Sequence, residues 1–332
     1  MKLLLQKGAP IEAVNQENNT PLHLAAQNGH TGAVGVLLAK GAPMEAVNQE
    51  NNTPLHLAAQ SGHTGAVEVL LAKGAPIEVV NQKNNTPVHL AAQNGHSGAI
   101  KVLFANGASV KAVNYLNHLT PLHLAAEKGH TGAVETLLGR GESTEAKDFG
   151  GNTPLHFAVS EGHIGVMEVL LNKGALIETK GDESKTPLHL AAEKDHTGAM
   201  ELLLGKGAST EATDQVGNTP LHLAVEKGYT GAVELLLEKG ASTEATDQVG
   251  NTPLHFAAKH GYAGVAKILL ERGASVEPTN KHNKTPLDHA RQSRDTDTVD
   301  LLTKKATEVG HGNRAPPHER RSFKSLFRKR RK

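Results

Sequence analysis

The chain has 332 residues, with no Cys, no Trp and only nine Phe or Tyr residues. The absence of Cys excludes a disulfide scaffold, a thiolate zinc site, an iron–sulfur cluster and a cysteine nucleophile, and so few aromatic side chains cannot supply a compact core that depends on them. The net charge of +1 averages two unequal parts, because residues 311–332 contain nine basic residues and one acidic residue while the rest contains 26 basic and 33 acidic residues. A mildly acidic body with a basic tail is therefore predicted. No apolar run approaches the roughly 18 residues that a membrane-spanning helix needs, so none is predicted.

One short motif recurs along almost the whole chain. The string Thr-Pro-Leu-His, or a close variant of it, begins at Thr20, Thr53, Thr86, Thr120, Thr153, Thr186, Thr219, Thr252 and Thr285. The spacing is 33 residues throughout, except for 34 residues between the third and fourth copies. The extra residue falls within residues 115–119, where a loop can accept an insertion. A fixed period of this length indicates a repeat protein.

Each repeat predicts a loop followed by two short helices. In the first copy, Thr20 is placed as an N-cap and Pro21 as the first helical residue, and apolar residues at i, i+3 and i+4 from Leu22 form one stripe. Gly29 ends this helix, and Gly41 is placed for a left-handed cap at the end of the second. Because helices this short are marginal alone, neighbouring repeats must stack on one another.

The repeat resembles the ankyrin-repeat family, which has a 33-residue period and a T-P-L-H-x-A signature. Here the signature reads TPLHLAAQNGHTGAV from Thr20 and TPLHFAAKHGYAGVA from Thr252, and the resemblance extends from the N-terminus to about Lys305. It implies an all-α, elongated ankyrin-repeat solenoid with a helix-turn-helix and a hairpin loop in each repeat. We expect a partial repeat (second helix and loop) at residues 1–14, nine repeats with a polar last cap at residues 15–305, and a disordered basic tail at residues 306–332.

Departures from the repeat predict where the backbone is strained. Asn18, Asn51 and Asn84 stand at the hairpin position where Gly is usual, and Asn tolerates the left-handed conformation better than other side chains. The sixth copy carries Ser184 at this position and Asp195 in place of the inter-helix Gly. The sixth repeat is therefore predicted to be the least stable.

Most of the 20 His residues recur at fixed positions within the repeat, as expected if they have a structural role. Eight lie in the signature and six follow the inter-helix turn. A zinc site needs three or four convergent ligands, whereas a regular array places its members one layer apart. The family resemblance implies that the signature His bonds to the Thr cap and to neighbouring backbone. Since nucleophile-elbow and phosphate-loop motifs are also missing, we predict no catalytic, cofactor or metal site, no small-molecule substrate and no enzyme activity.

The resemblance implies that partners bind the concave face formed by the hairpin tips and the first helices. We predict binding across repeats four to eight, because exposed apolar tips are better hot-spot candidates than amides. The candidate tip residues are Tyr115, Leu116, Phe149, Val216 and Val249. The candidate first-helix residues are Glu127, Lys128, Glu193, Lys194, Glu226, Lys227 and Lys259. The alternative is that isolated exposed apolar residues carry no function. Charges of both signs argue against a nucleic-acid groove in the body.

Residues 320–332 form a strongly basic segment in which apolar residues recur at i, i+3 and i+4, so a helix here would be basic and amphipathic. Three interpretations stay open: a nuclear import signal, attachment to anionic membrane or to a helix-binding partner such as calmodulin, and a solvated disordered end. The candidate targeting residues are Arg320, Arg321, Phe323, Phe327, Arg328, Lys329, Arg330, Arg331 and Lys332.

Together these patterns predict a monomeric, non-catalytic interaction module or scaffold that is intracellular and cytoplasmic and binds a protein partner on its concave face. Two alternatives remain. Residues 3–5 align with residues 69–71 of a second helix, so the chain is expected to start within a repeat, as an ankyrin fragment of a larger effector or signalling protein whose active module is absent. In the other alternative, the basic tail makes the protein an adaptor tethered to the nucleus or to anionic membrane.

Overall fold

The computed structural model describes residue 3, residues 6–114 and residues 117–312. These residues form α-helices joined by turns, with one short 3-10 turn at Asp182–Ser184 and no β-strand among them. They fall into two compact units, Met1–Gln215 (unit 1) and Val216–Lys332 (unit 2). The predicted alternation of first and second helices is confirmed within each unit.

Unit 1 alternates short first helices with slightly longer second helices. The first helices are α1 (Pro21–Gln27), α3 (Pro54–Gln60), α5 (Pro87–Gln93), α7 (Pro121–Glu127), α9 (Pro154–Ser160) and α11 (Pro187–Glu193). The second helices are α2 (Thr31–Ala39), α4 (Thr64–Ala72), α6 (Ser97–Ala105), α8 (Thr131–Gly139), α10 (Ile164–Asn172) and α12 (Thr197–Gly205). Each first helix packs against its own second helix, and successive first helices pack side by side.

Unit 2 continues the same pattern with a longer final helix. Its helices are α13 (Pro220–Lys227), α14 (Thr230–Glu238), α15 (Pro253–His260), α16 (Ala263–Glu271), α17 (Pro286–Ser293) and α18 (Thr296–Gly312). Helix α18 continues to Gly312, past the expected start of the tail at residue 306, and the tail boundary stays a prediction. Residues 306–312 contain no proline, and Ala306 and Glu308 favour helix, so the helix extends past the end of the repeat. The rest of the predicted tail, including every candidate targeting residue, lies outside the described residues.

A reciprocal cap starts each first helix. The backbone N–H of His23 donates to Thr20 Oγ1 (3.4 Å), and the backbone N–H of Thr20 donates to His23 Nδ1 (3.1 Å). This capping box satisfies two amides that the helix itself leaves unpaired. In α17, Asp288 takes the place of the His, and its Oδ2 accepts from the Thr285 N–H at 3.0 Å. The cap therefore survives the substitution in the last repeat.

The hairpin tips adopt the left-handed backbone expected of them. Asn18, Asn51 and Asn84 have φ of +65°, +58° and +55°, which confirms the prediction for the first three repeats. In the sixth repeat, Ser184 and Asp195 are left-handed as well, with φ of +58° and +57°. Since such residues carry a left-handed cost of roughly 1–2 kcal/mol, the strain falls where the sequence predicts it. The low stability of this repeat stays a prediction.

The core consists of aliphatic and small side chains. In the first repeat, Leu22, Ala26, Val34 and Leu37 are fully buried, and their counterparts are buried in the second to eighth repeats. Alanine at the helix contacts lets adjacent helices approach closely, so little aromatic volume is required.

Buried asparagines join the hairpins of neighbouring repeats. Asn48 Nδ2 donates to Asn19 Oδ1 at 2.9 Å, and Asn81 Nδ2 donates to Asn52 Oδ1 at the same distance. Because these amides are almost completely buried, their pairing both satisfies them and fixes the position of each hairpin relative to the previous one.

Candidate partner-binding surface

The surface formed by the first helices and the hairpin tips, here called the groove face, carries several cavities. Along a first helix, Leu22, Ala25 and Ala26 point into the core. In the first repeat, Leu24 at the fifth signature position and the last helical residue, Gln27, are exposed instead, whereas the fifth position is buried or half-buried in the second to eighth repeats. Side chains at equivalent positions line the cavities together with hairpin residues.

In the first three repeats, two cavities of about 280 and 120 Å³ adjoin and share Glu50 and Gln60. Amide side chains make up most of their walls: Asn19, Gln27, Asn48, Gln49, Asn52, Asn81, Gln82, Asn85 and Gln93. Glu50 Oε2 accepts from Asn52 Nδ2 at 2.9 Å, so this carboxylate is held along the wall. This part of the groove face offers hydrogen-bonding groups and little apolar surface.

In the fifth repeat, an aromatic side chain forms the floor of a cavity on the groove face. Phe157 occupies the fifth signature position and lines a cavity of about 200 Å³ together with Asn152, Ser160, Asp182 and other residues. Its ring meets that of His123 edge to face, with centroids 5.3 Å apart. Phe256 repeats this arrangement in unit 2 and also lines a cavity. The sequence prediction did not include either residue, because each replaces the Leu that six other repeats have at this position without changing the signature.

The apolar tip residues of the prediction are exposed wherever the structure describes them. Phe149 is 71% exposed and stacks on His118 with ring centroids 5.3 Å apart. In unit 2, Val216 and Val249 are 48% and 36% exposed. The backbone N–H of Phe149 donates to Asn117 O at 3.3 Å, which bonds this tip to the preceding one. Tyr115 and Leu116 lie outside the described residues.

The charged first-helix candidates differ in their surroundings. Glu127 and Lys128 form an ion pair with each other at 2.8 Å. Glu193 pairs with Lys185 at 3.0 Å, and Lys185 also contacts Glu183 at 2.7 Å. Lys194, Lys227 and Lys259 are exposed, and Glu226 is half-buried. The structure therefore places all these residues at or beside the C-terminal ends of first helices but engages only some of them in ion pairs.

The signature histidines have the structural role that the family resemblance implies. The Nδ1 atom of His56 accepts the Thr53 backbone N–H at 3.1 Å, so Nε2 carries the proton and donates to Asn85 O at 3.1 Å. Burial lowers the pKa of His56, His89 and His123 to about 4. The neutral ring thus joins its own cap to the next repeat. Among the described residues, no three His, Asp or Glu side chains converge to hold a metal ion.

A second row of histidines, which follows the inter-helix turns, forms hydrogen bonds between neighbouring repeats. His130 Nε2 donates to Gln93 O in the previous repeat at 3.1 Å, and His163 Nε2 donates to Glu127 O at 2.9 Å. The ring of His130 lies so close to Gly95 that a Cβ there would stand 2.8 Å from it. Both histidine rows are therefore used in packing.

Glu142 is an unexpected buried carboxyl group. It stands where other repeats have Ala, for example Ala75 and Ala108, and it is buried. The Leu122 backbone N–H donates to Glu142 Oε2 at 3.0 Å, while Oε1 has no hydrogen-bond partner. Burial raises the pKa of Glu142 to about 8. The sequence indicates this site, because Glu142 is the one residue other than Ala at the position directly after the Gly that ends a second helix.

Comparisons with known proteins agree with this architecture. The model for ankyrin repeats in three copies matches residues 1–82, 42–114, 88–181 and 176–247, and the model for many copies matches residues 236–290. A solved structure, the ankyrin repeat domain of Bcl-3, which is a unique member of the IkappaB protein family, shares 32% sequence identity. It aligns over 66% of this chain and 98% of its own, with a TM-score of 0.60. Comparison with curated proteins gave no match.

The chain therefore belongs to the ankyrin-repeat family. Ankyrin-repeat domains bind protein partners, and this chain is accordingly a protein-interaction module built on a fold that is generally non-enzymatic. Within the described residues, no helix combines the length and apolar character needed to cross a bilayer.

Proposed function

We propose that this chain binds a protein partner through its groove face, with Phe149 and Phe157 as apolar anchors in unit 1. The cavity floored by Phe157 carries the proposal, because an accessible aromatic ring within a polar rim is the arrangement found at interface hot spots. In unit 2, Phe256 and Val249 offer the same combination. The partner is held without chemical change.

The charged first-helix residues form the rim of this surface. Glu127, Lys128, Glu193, Lys194 and the corresponding residues of unit 2 remain at least partly accessible. Exposed charges of this kind contribute to the orientation of a partner and to its association rate more than to affinity. The amide-lined cavities of the first three repeats add hydrogen-bonding groups that suit the polar part of an interface.

A double variant tests the proposal. Phe149→Ser removes an exposed ring, and Phe157→Leu restores the residue found at this position in most repeats, so both changes should leave the fold intact. We expect affinity capture from the native cell to recover the partner with wild-type protein and at least about tenfold less of it with the variant.

The matched control is Leu176→Ser, which removes a side chain that is 61% exposed but does not line the cavities of the groove face. This variant should capture as much partner as the wild type. Equal capture by the double variant, with unchanged thermal unfolding, would show that the partner binds elsewhere.

A further inference from the structure

One cavity in unit 2 differs in chemistry from the others on the groove face. It has a volume of about 200 Å³ and is lined by residues of α15, α17 and the hairpins that precede them. Val249 and Phe256 supply its apolar part. Lys259 and His282 supply basic groups at its edge, and the neutral ring of His289 lies in its wall. The cavity thus combines apolar surface with the positive charge of Lys259 and a second basic side chain.

The base of this cavity is fixed by internal hydrogen bonds. Asn280 Nδ2 donates to Asn251 Oδ1 at 2.7 Å and lies 3.2 Å from His289 Nε2, which accepts from it. His255 Nε2 donates to Lys284 O at 3.0 Å. Since these polar groups already have partners, a ligand would contact the apolar side chains and the outer basic groups.

The basic groups lack acidic partners. Lys259, Lys281 and His282 are exposed and Lys284 is half-buried. None of the four forms an ion pair with a described residue. An unpaired cluster of this kind attracts negative charge.

The two carboxylates that act on the cavity's histidines are occupied by backbone groups. Asp247 Oδ1 accepts from the backbone N–H groups of Val249 at 2.9 Å and Asn251 at 2.7 Å. Asp288 Oδ2 accepts from the Thr285 N–H at 3.0 Å. Neither carboxylate forms an ion pair with Lys259, Lys281 or His282, whereas Asp288 acts on Lys284 through its charge and lies 3.9 Å from Arg291.

The pKa of His289 is affected by the same positive charges. Its pKa is lowered first by burial and next by the charge of Lys259, with Lys284 and His282 acting in the same direction. Asp288 opposes them. The cations therefore act together on one point within the cavity.

Equivalent positions elsewhere do not share this chemistry. In the cavity between the first two repeats, Gln27 stands where Lys259 stands, and Glu50 stands where His282 stands. The cavity lined by Glu50 and Gln60 is neutral to acidic, whereas this one is basic. In the third repeat Lys83 stands at the position of His282, but the cavity that it lines also contains Glu50, whereas the cavity of unit 2 has no carboxylate in its lining.

We propose that this cavity binds an acidic segment of a protein partner, with an apolar side chain against Phe256 and Val249 and flanking carboxylates beside Lys259 and His282. The proposal rests on the proposed function of the groove face and names the kind of partner segment that its end selects. Charge complementarity provides orientation, and the apolar contact provides the buried surface on which affinity depends.

An acidic peptide fits the cavity better than a nucleic acid does. A nucleic-acid site requires a continuous row of phosphate contacts, but the preceding first helix of unit 2 carries Glu226 at the position of Lys259. Positive charge therefore does not continue from one first helix to the next at this position, which suits a short segment with a few carboxylates.

The direct test measures binding of two labelled peptides to the full chain by fluorescence anisotropy. One peptide is Gly-Ser-Glu-Asp-Leu-Glu-Asp-Gly-Ser, and the other replaces its carboxylates with amides. We expect the acidic peptide to bind more tightly than the amide peptide. The Lys259→Gln/His282→Glu variant carries the side chains found in the cavity between the first two repeats, and it should weaken that binding about tenfold. Lys267→Gln, an exposed change on α16, should leave it unchanged.

Three results would overturn the inference. In the first, the acidic peptide binds no better than the amide peptide. In the second, the double variant binds the acidic peptide as tightly as wild type does, which would assign the binding to other basic residues such as those at 320–332. In the third, a dT12 oligonucleotide displaces the labelled acidic peptide more effectively than unlabelled peptide does. Partner capture that still depends on Phe149 and Phe157 would leave the proposed function standing in each case.

Discussion

Both ring nitrogens of the signature histidines are used in the fold. In His89, for example, Nδ1 accepts the Thr86 N–H at 3.3 Å and Nε2 donates to Leu119 O at 3.1 Å. A ring held in this way has no lone pair left for a metal, and its low pKa keeps it neutral near pH 7. The repetition of the signature therefore reflects the repetition of one hydrogen-bonding unit.

Burial also disfavours the charged form of Glu142, and for a carboxyl group this raises the pKa instead of lowering it. Its folded-state pKa of about 8 exceeds the ordinary value of 4.5, so the folded state binds the proton more tightly than the unfolded state. The stability that this group contributes is therefore greatest below about pH 4.5 and is lost as the pH rises from 4.5 towards 8.

We predict that Glu142→Ala stabilises the protein at pH 8.5, by about 1–3 kcal/mol, since it removes a buried carboxyl that lacks a full set of partners. The gain should shrink as the pH falls to 5. Urea unfolding at the two pH values measures it, with the exposed Glu135→Ala on α8 as the control. A Glu142→Ala variant that is less stable than wild type at pH 8.5 would show that the carboxylate acts as a helpful cap for α7.

At the scale of the element, the turn between paired helices is an inter-repeat contact as well as a helix end. Gly95 has a left-handed backbone with φ of +76°, and the His130 ring of the next repeat rests on it. The ring cannot easily move aside, because its Nε2 bonds to Gln93 O. The glycine is thus required both by the backbone conformation and by its neighbour.

A pair of substitutions separates the two requirements. Gly95→Ala and Gly107→Ala both place a side chain on a left-handed backbone, but a Cβ at Gly107 would meet nothing within 4 Å. We expect Gly107→Ala to cost about 1–2 kcal/mol from backbone strain alone, and Gly95→Ala to cost about 1–3 kcal/mol more from the clash. Equal losses in chemical unfolding would mean that the His130 ring moves away freely.

The elements themselves follow from the sequence because their signals are local. Thr at the cap, Pro after it and Gly or Asn at the turns define each helix, and all of these are read within one repeat. The groove floor at Phe157, the histidine resting on Gly95 and the buried Glu142 depend on contacts between repeats. Such contacts become visible only when the repeats are placed side by side, and the length of α18 likewise lay beyond the repeat pattern.

At the scale of the whole molecule, the buried histidines make stability sensitive to acid. Their folded-state pKa of about 4 lies below the ordinary value of 6.5, so the unfolded state takes up protons first as the pH falls. Stability is complete above pH 6.5 and is lost progressively towards pH 4. Because the same histidine recurs along both units, the losses accumulate.

We predict that one such histidine accounts for a loss of about 2 kcal/mol between pH 7 and pH 5. In a His89→Asn variant the decrease in unfolding free energy between these pH values should be smaller by that amount, whatever the variant's stability at pH 7. The exposed His30→Asn provides the control and should keep the wild-type decrease. If the His89→Asn decrease matches wild type, the buried histidine is not responsible for the acid sensitivity.

The central claim, that a protein partner docks on the groove face, is tested most directly by site-specific photo-crosslinking in the native cell. Benzoylphenylalanine is placed at Ser160, which lines the Phe157 cavity, or at Glu168, which is exposed on the second helix α10 of the same repeat. A crosslinked partner from the Ser160 position and none from the Glu168 position is the predicted result. Crosslinks from the Glu168 position alone would contradict the account.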